Sequence, residues 1–343
     1  MNVVSLFNGM NTGRQALENV GIKVDKYYSS EIKPYAIELT QHHFPDTIQV
    51  GDVTKWREWD IDWKTIDLVL SGSPCQDLSA AGKRAGINGS KSSLFFTFVE
   101  ILEHIKSLNP KVLFLQENVG SASKLDVGIM SRALGVYPVR INSSLVTAQL
   151  RDRYYWSNIR TNETMFDVVT DIPQPKDRGI MFKDIITDGF VDRDKSLCLI
   201  ERYIGAIPKS DEAIQKFLKN RVEFGSYSVV YIDGSDLKVK TNTLKGFDVV
   251  TENDCLDLSF PTSKTRRGRV TKGKSPCLME SSNNLYSYKD GIVRAVNKIE
   301  MCRLQGFPDD YCDILTTAKA GSLLGDGWTL PIIEHIFSFI IAD

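Results

Sequence analysis

Through the first third of the chain, short apolar runs alternate with helically spaced segments, and each apolar run ends on a polar signature. Residues 3–7 (VVSLF) read as a buried strand that runs into Asn8-Gly9, and residues 12–20 follow with helical spacing. A second strand over residues 26–30 ends at Glu31. Pro34 then suits the first turn of a helix, where its missing N–H is not needed. Residues 47–50 lead to Gly51-Asp52, residues 67–70 to Gly72-Ser73-Pro74-Cys75, and residues 112–115 to Glu117-Asn118, with helical spacing over 94–105. Strands interleaved with helices predict a doubly wound, Rossmann-like α/β sheet. Such sheets gather ligands beyond the carboxyl ends of their strands, which is where every one of these signatures falls.

After residue 159 the pattern changes. Residues 160–290 alternate polar loops with short β-like runs, such as 226–232 and 241–250, and helical spacing is sparse outside 211–220. This predicts a second, smaller, mostly β domain. Within it, residues 261–274 (PTSKTRRGRVTKGK) carry six Lys or Arg and no acid, which suits either a phosphate-facing surface or a solvated loop. Residues 330–341 are apolar at helical spacing and are expected to pack back onto the first domain. The expected division is therefore 1–165 plus 312–343 for the first domain and 166–311 for the second.

Basic and acidic side chains number 42 and 43, so no global field draws the chain to nucleic acid, and phosphate binding must come from local patches. Six cysteines without a Cys-x-x-Cys pair, and four histidines without ligand spacing, predict neither a disulfide framework nor a metal site. With no apolar run of the roughly 18 residues a membrane span needs, the expectation is a reduced, soluble, cytoplasmic protein.

The segment SGSPCQDLS places Cys75 after a proline at a strand end. A free thiol titrates near ~8.5, so a reactive Cys75 needs a neighbouring helix N-terminus or arginine to favour its thiolate. A lone cysteine is otherwise most often an inert core residue, although a loop flanked by Gly, Ser and Pro is a poor place for core filling.

Further residues extend this pattern. Pro74-Cys75-Gln76 is followed one strand later by Glu117-Asn118-Val119, then by Gln149-x-Arg151-x-Arg153, and near the end by Arg303-Leu304-Gln305-Gly306-Phe307-Pro308-Asp309. With Ser5-Leu6-Phe7-Asn8-Gly9 at the start, this series resembles the DNA cytosine-C5 methyltransferase family in order and spacing. Details are similar to the eukaryotic de novo type: Phe7 to Gly13 (FNGMNTG), Leu94-Phe95-Phe96, Tyr155-Trp156-Ser157-Asn158, and GDGWTLP ending at Pro331. Without a long N-terminal regulatory region, a stand-alone bacterial or phage member is expected.

The resemblance implies S-adenosyl-L-methionine as cofactor, with S-adenosyl-L-homocysteine as product, and a duplex DNA substrate. It implies Cys75 as the nucleophile toward C6 of cytosine, Glu117 on the N3 edge, and Arg151 and Arg153 on the base carbonyl and phosphates. The cofactor side comprises Phe7, Asn8, Gly9 and Thr12 on the first turn, Glu31 for ribose hydroxyls, Ile32 against adenine, Asp52 and Val53 at its amino group, and Pro74, Leu94 and Trp328. Gln76, Ser79, Lys83 and Arg84, on a loop able to close over a flipped base, and Arg266, Arg267 and Arg269 are expected on DNA. A cognate restriction endonuclease is a conceivable partner. Two other readings remain open: a tRNA-acting cytosine methyltransferase on the same fold, and a catalytically silent DNA-binding regulator. A nicotinamide dehydrogenase would need Gly-x-Gly-x-x-Gly, which residues 7–13 do not supply.

Overall fold

The chain begins with Val3 and Val4 fully buried in β1 (Asn2–Leu6). In the computed structural model, the described residues are 1–74, 94–187, 195, 229–232, 236–240, 244–251, 254–257, 269–272, 285–289 and 292–340. Two compact units emerge. The first comprises Met1–Asn142, Asp152–Pro175 and Trp328–Asp343, and the second Ser143–Arg151 and Lys176–Gly327. Relative to the division expected from the sequence, residues 143–151 and 312–327 fall in the second unit and residues 166–175 in the first.

The first unit holds one seven-stranded sheet. After β1 come β2 (Lys26–Ser30), β3 (Ile48–Gln49), β4 (Leu68–Ser71), β5 (Leu113–Val119), β6 (Val139–Asn142) and β7 (Asp152–Ser157). Their order is β3-β2-β1-β4-β5-β7-β6. Neighbours are parallel as far as β5, and β7 runs antiparallel to both β5 and β6. The chain winds outward from β1 to β3, then returns to β1's other edge at β4. In sheets of this kind such a reversal is where a ligand crevice forms, here at the carboxyl ends of β1 and β4.

Residue choice explains the strands. Leu68, Val69 and Leu70 of β4 are all fully buried, as expected of a parallel strand covered on both faces. The helices are α1 (Thr12–Asn19), α2 (Pro34–His43), α3 (Leu94–Leu108) and α4 (Lys124–Leu134). In α2, Pro34 occupies the first turn. Before α4, the Ser123 side chain accepts from the Asp126 N–H, and Gly135 closes the helix in the left-handed region. Phe95, Phe98, Ile101, Leu102 and Ile105 of α3 pack into one core with Val4, Val69, Phe114 and Trp156. A short hairpin, β8 (Thr161–Glu163) and β9 (Val168–Thr170), follows the sheet.

Trp156 is fully buried in that core, and its indole N–H donates to Ser131 Oγ at 2.9 Å. Trp156→Ala is expected to cost about 3–5 kcal/mol, through the cavity it opens and the hydrogen bond that Ser131 loses. A urea titration checks this: the midpoint should fall while the slope stays constant.

The second unit contains a three-stranded antiparallel sheet of β10 (Val229–Ile232), β11 (Asp236–Lys240) and β12 (Phe247–Val250). A four-stranded one has the order β14-β13-β15-β16, from β13 (Cys255–Asp257), β14 (Arg269–Thr271), β15 (Leu285–Lys289) and β16 (Ile292–Ala295). Two helices follow, α5 (Lys298–Gln305) and α6 (Thr317–Asp326). Among the described residues of this unit before 297, the regular structure is strands apart from two short helical turns, in line with the predicted β character; the helical stretch expected over 211–220 lies outside the described residues. The last helix, α7 (Leu330–Phe337), belongs to the first unit. It packs on α1, and the Asn19 amide donates to Glu334 Oε1 at 2.5 Å.

Candidate functional site

At the end of β1 the backbone makes a tight turn that costs conformational energy. Phe7, Gly9 and Asn11 all have φ near +60° (56°, 58° and 65°), and only Gly9 adopts that region without a Cβ penalty. The turn persists because its neighbours hold it. The Asn8 N–H donates to Ser30 O at 3.1 Å, and the Gly9 N–H donates to Glu31 Oε2 at 2.8 Å. Glu31 Oε1 accepts from the N–H groups of Ile32 (2.8 Å) and Lys33 (2.9 Å). One carboxylate at the end of β2 thus ties the β1 turn to the start of α2, with acceptor capacity to spare for a ligand hydroxyl.

The Asn8 side chain is buried. It donates to Thr40 Oγ1 at 3.4 Å and accepts from the Tyr27 hydroxyl at 3.2 Å. Burial pushes the Tyr27 phenol well above its ordinary range, so it remains a donor. Beneath the turn, Gly13 permits close packing: a Cβ there would lie 2.4 Å from Leu70 Cδ1. Thr12 and Val53 are likewise buried. By contrast, Ile32 is 71% exposed, an unusual state for a branched apolar side chain beside a strand-end crevice. Asp52 caps the next short helix, its Oδ1 accepting from Thr54 N–H and Oγ1, and these bonds hold its carboxyl below the usual range.

The ends of β4 and β5 are stitched together. Gln116 Nε2 donates to Ser73 Oγ at 2.9 Å and Asn118 Nδ2 to the same oxygen at 3.4 Å, with all three side chains buried. Ser73 therefore fixes the backbone immediately before Pro74 and Cys75. Neither Ser73 nor Gln116 stands out in the sequence; the signal was a polar side chain inside an otherwise apolar strand.

Strand pairing brings the next two groups together. Val119 lies opposite Arg153 and Glu117 opposite Tyr155, so alternation puts Glu117 and Arg153 on one face as diagonal neighbours. Arg153 Nε meets Glu117 Oε1 at 2.8 Å, both side chains being largely buried. The Trp328 indole donates to the other oxygen, Glu117 Oε2, at 3.2 Å. Both carboxylate oxygens are thereby held. Trp328, expected on a cofactor wall, has its indole N–H committed to Glu117. Leu94, at the start of α3, packs on the core, and Pro74 is partly buried.

Arg151, expected with Arg153 on the base carbonyl and phosphates, belongs to the second unit. Its Nη1 donates to Gly325 O at 3.0 Å and Nη2 to Gly327 O at 2.8 Å, satisfying carbonyls at the C-terminus of α6. It is a buried anchor. Gln149 Nε2 donates to Leu304 O at 3.0 Å, and Gln305 Nε2 to Leu324 O and Gly327 O. Arg303 grips Asp309 through two bonds of 2.6 and 2.5 Å, which pins the turn after α5. The motif residues thus divide between the units: Glu117 and Arg153 lie in the first, and Gln149, Arg151, Arg303 and Gln305 in the second.

Cys75, Gln76, Ser79, Lys83, Arg84, Arg266 and Arg267 lie outside the described residues. Arg269 begins β14, where the described course is that of the backbone. Among the described residues no group of His, Cys, Asp and Glu could hold a metal ion, and no helix is long and apolar enough to cross a membrane.

A family model described as C-5 cytosine-specific DNA methylase matches residues 1–342. The chain belongs to that family. Among its relatives, the orphan methyltransferase M.SPRI of Bacillus phage SPR is 34% identical over 175 residues, 47% of this chain and 38% of the phage protein. The type II methyltransferase M.HpaII of Haemophilus parainfluenzae is 26% identical over 344 residues, 96% of this chain and 86% of that one. A solved structure of the Entamoeba histolytica methyltransferase EhMeth superposes with a TM-score of 0.57 at 14% identity, covering 100% of this chain and 98% of that one, which supports the Rossmann-like fold alone.

Proposed function

We propose that the chain transfers a methyl group from S-adenosyl-L-methionine to carbon 5 of a cytosine flipped out of duplex DNA, through a covalent adduct between Cys75 and C6. The observation that carries this reading is the Glu117 carboxylate, buried at the end of β5 and oriented by Arg153 on one oxygen and Trp328 on the other. A carboxyl group fixed in this way can hold the N3 edge of a base, stabilising charge as the ring becomes an adduct.

Carbon 5 of cytosine is a weak nucleophile because its electrons belong to an aromatic ring. Addition of the Cys75 thiolate to C6 breaks that aromaticity and leaves C5 enamine-like. S-adenosylmethionine, when bound, supplies an electrophilic methyl group. Loss of the C5 proton to a base then re-forms the C5–C6 double bond and expels the thiolate. The ring must leave the base stack to reach Cys75, at a cost of a few kcal/mol.

The residues of the first unit fit the cofactor. The turn over residues 7–11 brings backbone close to a methionine moiety, and Glu31 can accept from ribose hydroxyls. Exposed Ile32 suits an adenine face, and Asp52 can accept from the adenine amino group. Glu31→Gln would turn one acceptor oxygen into a donor facing backbone N–H groups. We expect it to weaken S-adenosylmethionine binding about tenfold or more, measured by calorimetry.

The second unit would supply target recognition, with its basic segment on phosphates or base edges. The matching family model is that of a DNA methylase, and one relative is named a type II methyltransferase, which favours DNA over tRNA and a restriction-modification setting. Tritiated methyl transfer to unmethylated genomic DNA and to tRNA, run side by side, tests the substrate. Label is expected in DNA, and label in tRNA alone would overturn the reading.

A further inference from the structure

We infer that Trp328 is a positioning residue for the methyl-transfer step, acting through Glu117 rather than through the cofactor. This rests on the reading of Glu117 as the group that contacts the cytosine edge. An extended glutamate rotates freely about its last torsion, so a single partner on one oxygen leaves the other oxygen free to swing. Here Arg153 Nε holds Oε1 at 2.8 Å and the Trp328 indole N–H holds Oε2 at 3.2 Å, which fixes the plane of the carboxylate. Preorganisation of this kind is what a reacting group requires before substrate arrives.

The indole is itself held. Gly72, at the end of β4, leaves room for it: a Cβ on residue 72 would lie 2.8 Å from Trp328 Nε1 and 3.3 Å from Cε2. A rigid ring cannot yield to that contact by bending, so the donor would be displaced as a whole. On its far side Trp328 leads into buried Thr329 and α7, which packs on α1. The end of one strand and the start of one helix therefore clamp the donor against Glu117.

Two substitutions remove the contact in different ways. Trp328→Phe keeps an aromatic ring but lacks the N–H, and Gly72→Ala keeps the N–H but displaces it. Glu117→Gln serves as the reference. The readouts are the single-turnover rate of methyl transfer and the calorimetric dissociation constant for S-adenosylmethionine. Glu117→Gln should lower the rate about 100-fold or more, and Trp328→Phe and Gly72→Ala about tenfold each, the scale of one hydrogen bond to a charged group. Cofactor affinity should stay within about twofold of the parent, and the double variant should be no slower than Trp328→Phe, as expected of two changes acting on one contact.

Weakened cofactor binding at an unchanged rate in Trp328→Phe would overturn the inference in favour of a cofactor wall. Multiplying losses in the double variant would overturn it as well. A full rate in Glu117→Gln would remove the underlying reading of Glu117 itself, and a slow Glu117→Gln beside a full-rate Trp328→Phe would remove only the positioning role.

Discussion

Cys75→Ser is expected to abolish methyl transfer, lowering the rate by on the order of 10⁴-fold or more, the scale of losing a covalent nucleophile. A serine hydroxyl at neutral pH offers almost no alkoxide, whereas a thiol offers a few per cent thiolate before any activation. The substitution changes one atom, so binding of S-adenosylmethionine and DNA should persist near parental strength. That contrast separates chemistry from folding. Calorimetry with the cofactor and a tritium-transfer assay on the same preparation check it, and an active Cys75→Ser protein would contradict the covalent route. Ser73, two residues before Cys75 in the sequence, is held by Gln116 and Asn118.

Arg153→Ala should be the next most damaging change. Its guanidinium faces Glu117 with the arginine side chain 13% and the glutamate side chain 9% exposed, so little solvent replaces it. Breaking a buried pair from one side leaves an uncompensated charge and costs about 3–5 kcal/mol. Stability should fall by an amount of that order. The methyl-transfer rate should fall about 100-fold or more, because the carboxylate loses one of its two anchors. Arg153→Lys keeps the charge but cannot reproduce the planar donor, and should recover stability better than rate. Thermal melts and single-turnover kinetics on the two variants decide this. Equal rates in Arg153→Lys and the parent would show that the geometry of the guanidinium is irrelevant.

The central strands of the sheet were legible because they are buried on both faces. Runs such as Leu68-Val69-Leu70 have no polar interruption, and the strand over residues 26–30 has the bounds the pattern predicts. The β6–β7 pair was not read as strands because it carries Arg140, Asp152 and Arg153, charged residues that mask a strand signal. Helix α4 went unread although Ser123 and Gly135 mark its ends; Gly128 and Ser131 inside it blur the apolar stripe.

In the site, Glu117 and Arg153 were each legible through the motif resemblance, but their pairing was not, because it depends on β7 lying antiparallel beside β5. Arg151 shares Arg153's spacing, but the chain passes from one unit to the other between residues 151 and 152. Periodicity therefore could not show that one arginine meets a carboxylate while the other caps the end of a helix. Asn8 and Trp328 teach the same lesson. Their positions were legible, but the partners of their side chains depend on close approaches, such as Gly72 to the indole, that only folding creates.

The most direct test of the covalent route uses duplex DNA of random sequence containing 5-fluorocytosine. Fluorine on C5 cannot leave as the proton does, so methylation should strand the protein on the base. Incubation with S-adenosylmethionine is predicted to give a denaturation-resistant complex whose peptide map places the modified nucleotide on Cys75. A complex attached elsewhere, or no complex from a protein that methylates ordinary DNA, would contradict it.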